Sequence, residues 1–390
     1  MNKLFKNQYR RVYEPFKEGK IQVNYLVGRR DEKEMPFIRS VVTENPPYRF
    51  DQKEVVKVVR SLFGEHYTDI ERLLRVFGNG QIESRYFAAP LSWFEKERGL
   101  EEKNQKYIEE SVRLGSRAVT KCLQEAKINK EDIDAFIFVS SSGMATPTID
   151  ARIMNELKFP AHIKRIPLWG LGCAGGAAGI SRAHDYCLAY PDAKVLVLCI
   201  ELCSLTFQHA DMSKSNLIGT SLFADGAACA LVTGEEAQVE GAGFYTKGTQ
   251  STLMPDSEDV MGWDVKEGGL HVVFSRDIPN IIENWLKPNA ALFLDKLGKE
   301  LIEIDHFIAH PGGKKVIDAY EKSLGFPKEK TAPSRNVLAS HGNMSSPTVL
   351  YVLKEVMSQQ PDSGEQGLLT ALGPGFSSEM VWMEWGEKQS

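Results

Sequence analysis

The chain has 390 residues, 42% of them hydrophobic, with a formal net charge of −5. That is enough apolar material for one large core or two medium ones, and the mild acidity leaves no electrostatic footprint for nucleic acid. The longest apolar runs, such as Val195 to Ile200, fall far short of the roughly 20 residues that a membrane-spanning helix needs.

In chain order, Met1 to Glu34 is rich in Lys, Arg, Asn and Glu, shows little helical or strand periodicity and precedes a second methionine, Met35. It has no apolar stretch of the secretory kind, and Asp31, Glu32, Glu34 and the scarcity of Ser argue against a transit peptide. The composition predicts a dispensable, partly ordered extension over 1–34, followed by two halves, 35–237 and 238–390. Arg72, Arg75 and Arg85 fall in and just after a helical stretch, where scattered basic residues by default only solvate a face. A helix over 111–127 leads into an apolar strand, Ile133 to Val139, closed by Ser140 to Gly143.

After another strand-like run, Arg165 to Leu168, comes Gly170-Leu171-Gly172-Cys173-Ala174-Gly175-Gly176-Ala177-Ala178-Gly179, then a predicted helix over 180–190. A thiol between a strand end and a helix start meets unsatisfied N–H groups and the positive end of the helix dipole. Such a place is expected to lower the thiol pKa and supply thiolate, the nucleophilic form. The literal GxGxxG match here is a weak dinucleotide signal, because a cysteine occupies the loop. None of the six cysteines, Cys122, Cys173, Cys187, Cys199, Cys203 and Cys229, forms a CxxC or a metal-ligand spacing. That usage suits a reducing cytoplasm, where the protein is expected to reside. Strands are predicted between Leu222 and Val232 around an Ala224-Asp225-Gly226 turn.

The second half repeats the first. A helix over 281–297 precedes Ile304 to His310, a strand that matches Ile133 to Val139 at a distance of 171 positions. Moving 170 positions on from Cys173 reaches Asn343, in a small-residue turn before an apolar helix, 348–357. Strands between Leu368 and Trp385 then flank Gly373-Pro374-Gly375. Two copies of a strand–helix–strand unit predict a duplicated α/β protein of layered sheets and helices. The duplication sets Cys173 and Asn343 at related helix starts, with His310 at a strand end before Pro-Gly-Gly. His306 and His310 have a zinc-like spacing, but on a strand they lie about 13 Å apart and cannot share a metal.

These residues resemble the type III polyketide synthases, the chalcone synthase-like branch of the thiolase-fold condensing enzymes. The motifs are Gly172-Cys173-Ala174-Gly175-Gly176, Leu222-Phe223-Ala224-Asp225-Gly226-Ala227, His310-Pro311-Gly312-Gly313, Gly342-Asn343-Met344-Ser345-Ser346 and Gly373-Pro374-Gly375-Phe376. The resemblance covers about 35–388 and implies a thiolase fold, two duplicated halves in a layered αβαβα architecture. It implies a homodimeric acyltransferase in which Cys173 carries the starter and the growing chain, while His310 and Asn343 hold the thioester oxygen as malonyl-CoA loses CO2. By the same resemblance, Phe223 gates the passage from the CoA tunnel to the cavity, and Arg72 and Arg75 face CoA phosphates. Gly312 and Gly313 meet the pantetheine, and Gly375 belongs to the cyclisation-pocket loop. Acyl-CoA and malonyl-CoA are substrates, so the resemblance brings no cofactor.

Two departures bear on the starter. Val272 stands where chalcone synthases carry a second gating phenylalanine, and Leu372 stands where plant enzymes have phenylalanine before Gly-Pro-Gly. Met261-Gly262-Trp263-Asp264-Val265 looks like the bacterial alkylpyrone and alkylresorcinol synthases, in which Ser142, Thr146 and Cys203 match positions lining a fatty acyl tunnel. Such a tunnel gains about 0.8 kcal/mol per buried methylene. The expected reaction is therefore repeated decarboxylative condensation of malonyl-CoA onto a medium- or long-chain acyl-CoA. The alternatives are a ketoacyl synthase III-like single condensation, an aromatic starter, and a non-catalytic acyl-binding protein of the same fold.

Overall fold

Runs of consecutive apolar residues, rather than alternating ones, make strands buried on both faces, and β4 (Ala135–Val139) is buried at every position. The computed structural model describes residues 35–389 apart from 65, 66, 68, 276 and 277; the extension expected over 1–34 lies outside the described residues. Strands before β4 are β1 (Phe37–Glu44), β2 (Tyr48–Asp51) and β3 (Ser84–Phe87). After it come β5 (Lys164–Leu168), β6 (Lys194–Leu202), β7 (Asp225–Thr233), β8 (Gly241–Leu253), β9 (Met261–Lys266) and β10 (Gly269–Phe274). The last three are β11 (His306–Ala309), β12 (Gln366–Gly373) and β13 (Ser377–Lys388).

Nine strands run in the order β11-β12-β13-β8-β1-β7-β6-β4-β5. The first half supplies β1-β7-β6-β4-β5 and the second β8-β13-β12-β11. They are joined where β1 pairs with β8 only at Phe37–Tyr245 and Ile38–Phe244. In each half a parallel pairing follows from a helical crossover: β4 with β5 and β6, and β11 with β12. The halves are not equal copies, because five strands face four. Where the first half has β5, the second has the helix Ala332–His341.

Between the halves lie the helices Gly175–Ala189 and Thr348–Ser358, whose Ala177, Ile180, Val349, Leu350 and Leu353 share one buried cluster with strand residues of both halves. The helix Leu100–Ala126 covers the outer face of the first half through Leu114, Ala118 and Val119. Ile281, Trp285, Phe293 and Tyr320 cover the outer face of the second. The result is five layers, helix–sheet–helix–sheet–helix.

Three local expectations change. The central helix starts at Gly175, not at 180, because Gly and Ala let it press against its neighbours from its first turn. Ala224-Asp225-Gly226 is no turn: the helix Lys214–Leu222 ends one residue before Phe223, and β7 begins at Asp225. The 165–168 run is an edge strand with exposed residues, since among the described residues no strand pairs with its outer side.

Candidate active site

Cys173, 8% exposed, sits in a single turn, Gly172–Ala174, between β5 and the central helix. Gly172 takes φ +47°, and its N–H donates to the Ser141 hydroxyl at 3.1 Å. The glycines that follow are needed for close approach. A Cβ at Gly176 would lie 2.3 Å from the Ser346 carbonyl oxygen, and one at Gly175 would lie 2.6 Å from Val139 Cγ1. The cysteine turn is thereby pressed onto the turn that carries Asn343. Gly373-Pro374-Gly375 closes over the other side, where a Cβ at Gly172 would lie 2.7 Å from Pro374 Cδ.

Asn343 occupies the tight connection between Ala332–His341 and Thr348–Ser358, with Gly342 at φ +72° and Ser345 at φ +58°. Its backbone is clamped around Phe223: Asn343 N donates to Leu222 O, and Ala224 N donates to Asn343 O, both at 2.9 Å. Its side chain accepts from Ser345 N (2.8 Å) and donates through Nδ2 to Gly312 O (3.1 Å). Gly312 N in turn donates to His310 O (3.1 Å), and His310 N donates to Thr370 O on β12 (2.9 Å). Thus β11, β12 and the two loops bring His310 and Asn343 to the same place, and the Cys173 thiol contacts Ser345 and Asn343.

Burial governs the electrostatics. The Cys173 thiol is pushed up to about 11, mainly by burial, with Ser345 and Asn343 pulling the other way. This reverses the lowered value expected from sequence: the desolvation cost of a thiolate outweighs the favourable helix end. Burial also pushes His310 down to about 3, so its imidazole is neutral. Among the described residues neither ring nitrogen has a hydrogen-bond partner. Both groups are therefore neutral in the free protein, and a thiolate–imidazolium pair between them would have to form against both shifts.

Glu201, on β6, was not among the sequence-derived candidates. It is fully buried and accepts from Ser141 N (3.0 and 3.1 Å) and from Ser346 Oγ (2.8 Å). Burial raises it to about 7 against those hydrogen bonds. It ties together the loop after β4, through Ser141 the cysteine turn, and through Ser346 the asparagine turn. The signal was present in the sequence: one carboxylate inside the apolar run 195–202.

Phe223, Cys203 and Val272 line one pocket with Val55, Val59 and Phe87. The Phe223 ring also leans on Trp263 and Phe274, at 5.7 and 5.6 Å between centroids. Ser142 is elsewhere: its hydroxyl accepts from Leu202 N (2.9 Å), and it borders a small recess with Lys103 and Leu270 that shares only Thr206 with the larger cavity. Thr146 is exposed and reaches neither cavity of its own chain, because the 143–148 loop runs over the surface to the helix Ile149–Leu157. Arg75 borders an open groove with Arg49, Lys53, Lys57 and Arg60. Arg72 points away from that groove and pairs with Asp69 at 2.6 Å. Gly313 packs near Leu222, and Gly375, at φ +130°, packs near Leu253. Among the described residues, no group of three His, Cys, Asp or Glu side chains is placed to hold a metal ion, and His306 instead bonds Glu365 at 2.9 Å.

A buried cysteine, histidine and asparagine at the junction of two fused α/β halves define a thiolase-fold condensing enzyme. The family profile described as chalcone and stilbene synthases, N-terminal domain, matches residues 46–236, and its C-terminal counterpart matches 246–385. A Bacillus subtilis protein named "Putative chalcone synthase" is 52% identical over 362 residues, covering 90% of this chain and 99% of that one. The 1,3,6,8-tetrahydroxynaphthalene synthase of Streptomyces peucetius is 35% identical over 89% of this chain and 93% of its own. The crystal structure of 1,3,6,8-tetrahydroxynaphthalene synthase from Streptomyces coelicolor superposes with a TM-score of 0.85 at 29% identity, covering 90% of this chain and 99% of that one. The chain belongs to the chalcone and stilbene synthase family: it is a type III polyketide synthase, an acyltransferase working by decarboxylative condensation.

Proposed function

We propose that this polyketide synthase loads a medium- or long-chain acyl-CoA on Cys173, extends it with malonyl-CoA two or three times, and releases an alkylpyrone or alkylresorcinol. The observation that carries the starter assignment is the largely apolar cavity bounded by Cys203, Phe223 and Val272. Valine and cysteine there leave room where a second aromatic gate would fill it.

The steps follow from the residues. Cys173 gives its proton to His310, and the thiolate attacks the acyl-CoA carbonyl; the CoA thiolate leaves and takes that proton from His310, so that an acyl-cysteine and a neutral imidazole remain. Malonyl-CoA then loses CO2, and the electron pair of the broken bond becomes an enolate whose oxygen is held by His310 Nε2–H and the Asn343 N–H not bonded to Gly312. Each such donor lowers the barrier by about 3 kcal/mol. The enolate carbon attacks the acyl-cysteine carbonyl and expels the Cys173 thiolate, leaving the extended chain on CoA; the thiolate then attacks that thioester, CoA is released, and the chain is back on Cys173. Lys53, Lys57 and Arg75, which border the open groove and make no ion pair among the described residues, are suited to CoA phosphates.

A second copy completes the assembly in this reading. Among the described residues β5 has an unpaired edge, and next to it Trp169 is 55% exposed and bonded to Gly143, the neighbour of Met144. Light scattering should give a homodimer, and a monomer that retains full activity would remove this part of the reading.

Product mass spectrometry from a panel of acyl-CoA starters with malonyl-CoA tests the whole. Two similar proteins are named as tetrahydroxynaphthalene and phloroglucinol synthases, so malonyl-CoA alone is the decisive control. Alkyl-bearing products that require the acyl-CoA support the reading. Aromatic products from malonyl-CoA alone, unaffected by acyl-CoA, refute it.

A further inference from the structure

The hairpin β9–β10 stands apart from the nine-stranded sheet: among the described residues its two strands pair only with each other. Trp263 and Phe274 lie against the Phe223 ring, and Val272, the cross-strand partner of Trp263, lines the pocket of Cys203 and Phe223. The hairpin is thus one wall of that pocket, and the turn Cys203–Thr206 is another. The spacing of the two walls depends on what ties them together.

A buried amide spans them. Gln208, 5% exposed, donates through Nε2 to Thr206 O (2.9 Å) in the cysteine's turn and to Leu270 O (3.0 Å) on β10. Its Oε1 accepts from Lys103 Nζ (2.9 Å), and the same ammonium donates to Gly268 O (3.2 Å) in the hairpin's turn. The Gln208 carbonyl accepts from Asn216 Nδ2 (2.8 Å), so backbone and side chain are both fixed. The hairpin's turn is built to receive this amide. A Cβ on Gly268 would lie 3.2 Å from Gln208 Oε1, and one on Gly269, at φ +124°, would lie 3.0 Å from Gln208 Nε2.

Lys103 stands where packing alone would favour an apolar side chain. It opens the buried stripe of the helix Leu100–Ala126, which continues at helical spacing through Tyr107, Ser111, Leu114, Ala118 and Cys122. The lysine is 9% exposed, has no ion pair among the described residues, and is pulled down to about 8, mainly by burial. A buried ammonium costs stability that a methionine there would not. What it supplies in return is directional: two bonds that join the helix to the amide and to the hairpin.

We propose that Lys103 and Gln208 are positioning residues that hold the Val272 hairpin at a fixed distance from the Cys203 turn and so select the starter by its width. The proposal rests on the acyl-CoA-extending reading above. Neither residue lines the pocket itself. They act through Thr206, Leu270 and the hairpin's turn, and a narrow setting favours a straight alkyl chain over a planar ring.

The test compares the full-length wild type with Lys103→Met, which keeps the side chain's length but removes its donors, and with Gln208→Glu, which keeps an acceptor for Lys103 but loses both Nε2 donations. His271 also contacts Asp211 (3.3 Å), so either variant loosens the hairpin without releasing it. Backbone hydrogen exchange of 261–274 should quicken roughly tenfold in both variants, while the nine-stranded sheet exchanges as before. The preference for decanoyl-CoA over cinnamoyl-CoA in kcat/KM should fall by about the same factor. Malonyl-CoA decarboxylation and Cys173 labelling, which do not use this wall, should hold at wild-type rates. Unchanged exchange in a folded variant, or faster exchange with an unchanged starter preference, overturns the proposal.

A second arm uses the wild type alone, so it does not depend on either variant folding. Hairpin exchange should be the same before and after Cys173 is loaded with decanoyl-CoA. A hairpin that becomes protected only on loading is shaped by the chain rather than by Lys103 and Gln208, and this result also overturns the proposal. Failure of the wild type to load any acyl-CoA refutes the parent reading, while exchange in the unloaded variants still decides whether the two residues hold the hairpin.

Discussion

Asn343 anchors Gly312. Its Nδ2 donates to the Gly312 carbonyl at 3.1 Å, while its Oδ1 accepts from Ser345 N at 2.8 Å. The amide is therefore fixed at both ends by backbone, and its orientation follows from those two partners. Its remaining N–H faces the Cys173 sulfur, and the loop it anchors is the loop that leaves His310.

Replacing Asn343 with Ala removes both that donor and the anchor. Malonyl-CoA decarboxylation is expected to fall about 100- to 1000-fold, whereas acyl transfer onto Cys173 should fall much less, since the proposed route to the thiolate runs through His310. His310→Ala should damage both steps. Rapid-quench measurement of the two half-reactions checks this, and equal losses in both half-reactions for Asn343→Ala would remove the division of labour.

The raised Cys173 thiol makes a pH prediction of definite sign. With the thiol at about 11, the thiolate fraction of the free enzyme climbs through the whole range from neutral to strongly alkaline pH. Iodoacetamide labelling should rise about tenfold per pH unit between 7 and 10, as for any thiol well below its pKa. Cys173 should still be labelled before the others: it is the most exposed of the six, and burial pushes Cys187 further, to about 12. Acyl-CoA should protect it. A labelling plateau below pH 8 would mean that the free enzyme already holds a thiolate–imidazolium pair.

Much of this arrangement was legible in the sequence because duplication ties distant residues together. The 171-residue offset placed β4 and β11, and a strand end followed by Pro-Gly-Gly placed His310. What stayed hidden depended on which element covers which. The Cys173 turn promised a lowered pKa locally, yet the layers over it push it up. Thr146 and Cys203 matched one tunnel by resemblance, but only Cys203, in the turn directly after β6, sits beside the cavity. Glu201 and Lys103 are charged residues in mostly apolar surroundings, and only the packing shows that each sits where loops converge.

Glu201 should impose a slope on stability. Its folded value is raised from 4.5 to about 7, so the native state binds a proton more tightly than the unfolded chain. The stabilisation is complete below the unfolded value and is lost as pH rises through 7, a change on the order of 3 kcal/mol for this group. Asp225, also raised to about 7 by burial, adds in the same direction. Urea unfolding between pH 4.5 and 8 should therefore show declining stability with a shallower decline in Glu201→Gln. An identical pH dependence in wild type and variant would show that Glu201 is not the titrating group.

Cys203 tests the cavity. It is buried, lines the same space as Phe223 and Val272, and has side-chain volume to gain. Cys203→Phe should shift starter preference from long toward short acyl-CoAs while Cys173 remains reactive. If the ring is instead forced into packed core, it costs about 1–3 kcal/mol of stability and leaves the chain-length profile as it was. Melting temperature and activity from hexanoyl- to stearoyl-CoA, measured together, separate the two.

The most direct measurement is a two-step intact-protein experiment. The enzyme is first mixed with decanoyl-CoA alone, its mass is read and the modified peptide is sequenced; malonyl-CoA is then added and the released products are identified. The account predicts one decanoyl group on Cys173, none on Cys173→Ala, and conversion of the loaded enzyme to alkyl-bearing tri- or tetraketides. A protein that stays unmodified by decanoyl-CoA yet turns malonyl-CoA alone into product would contradict it.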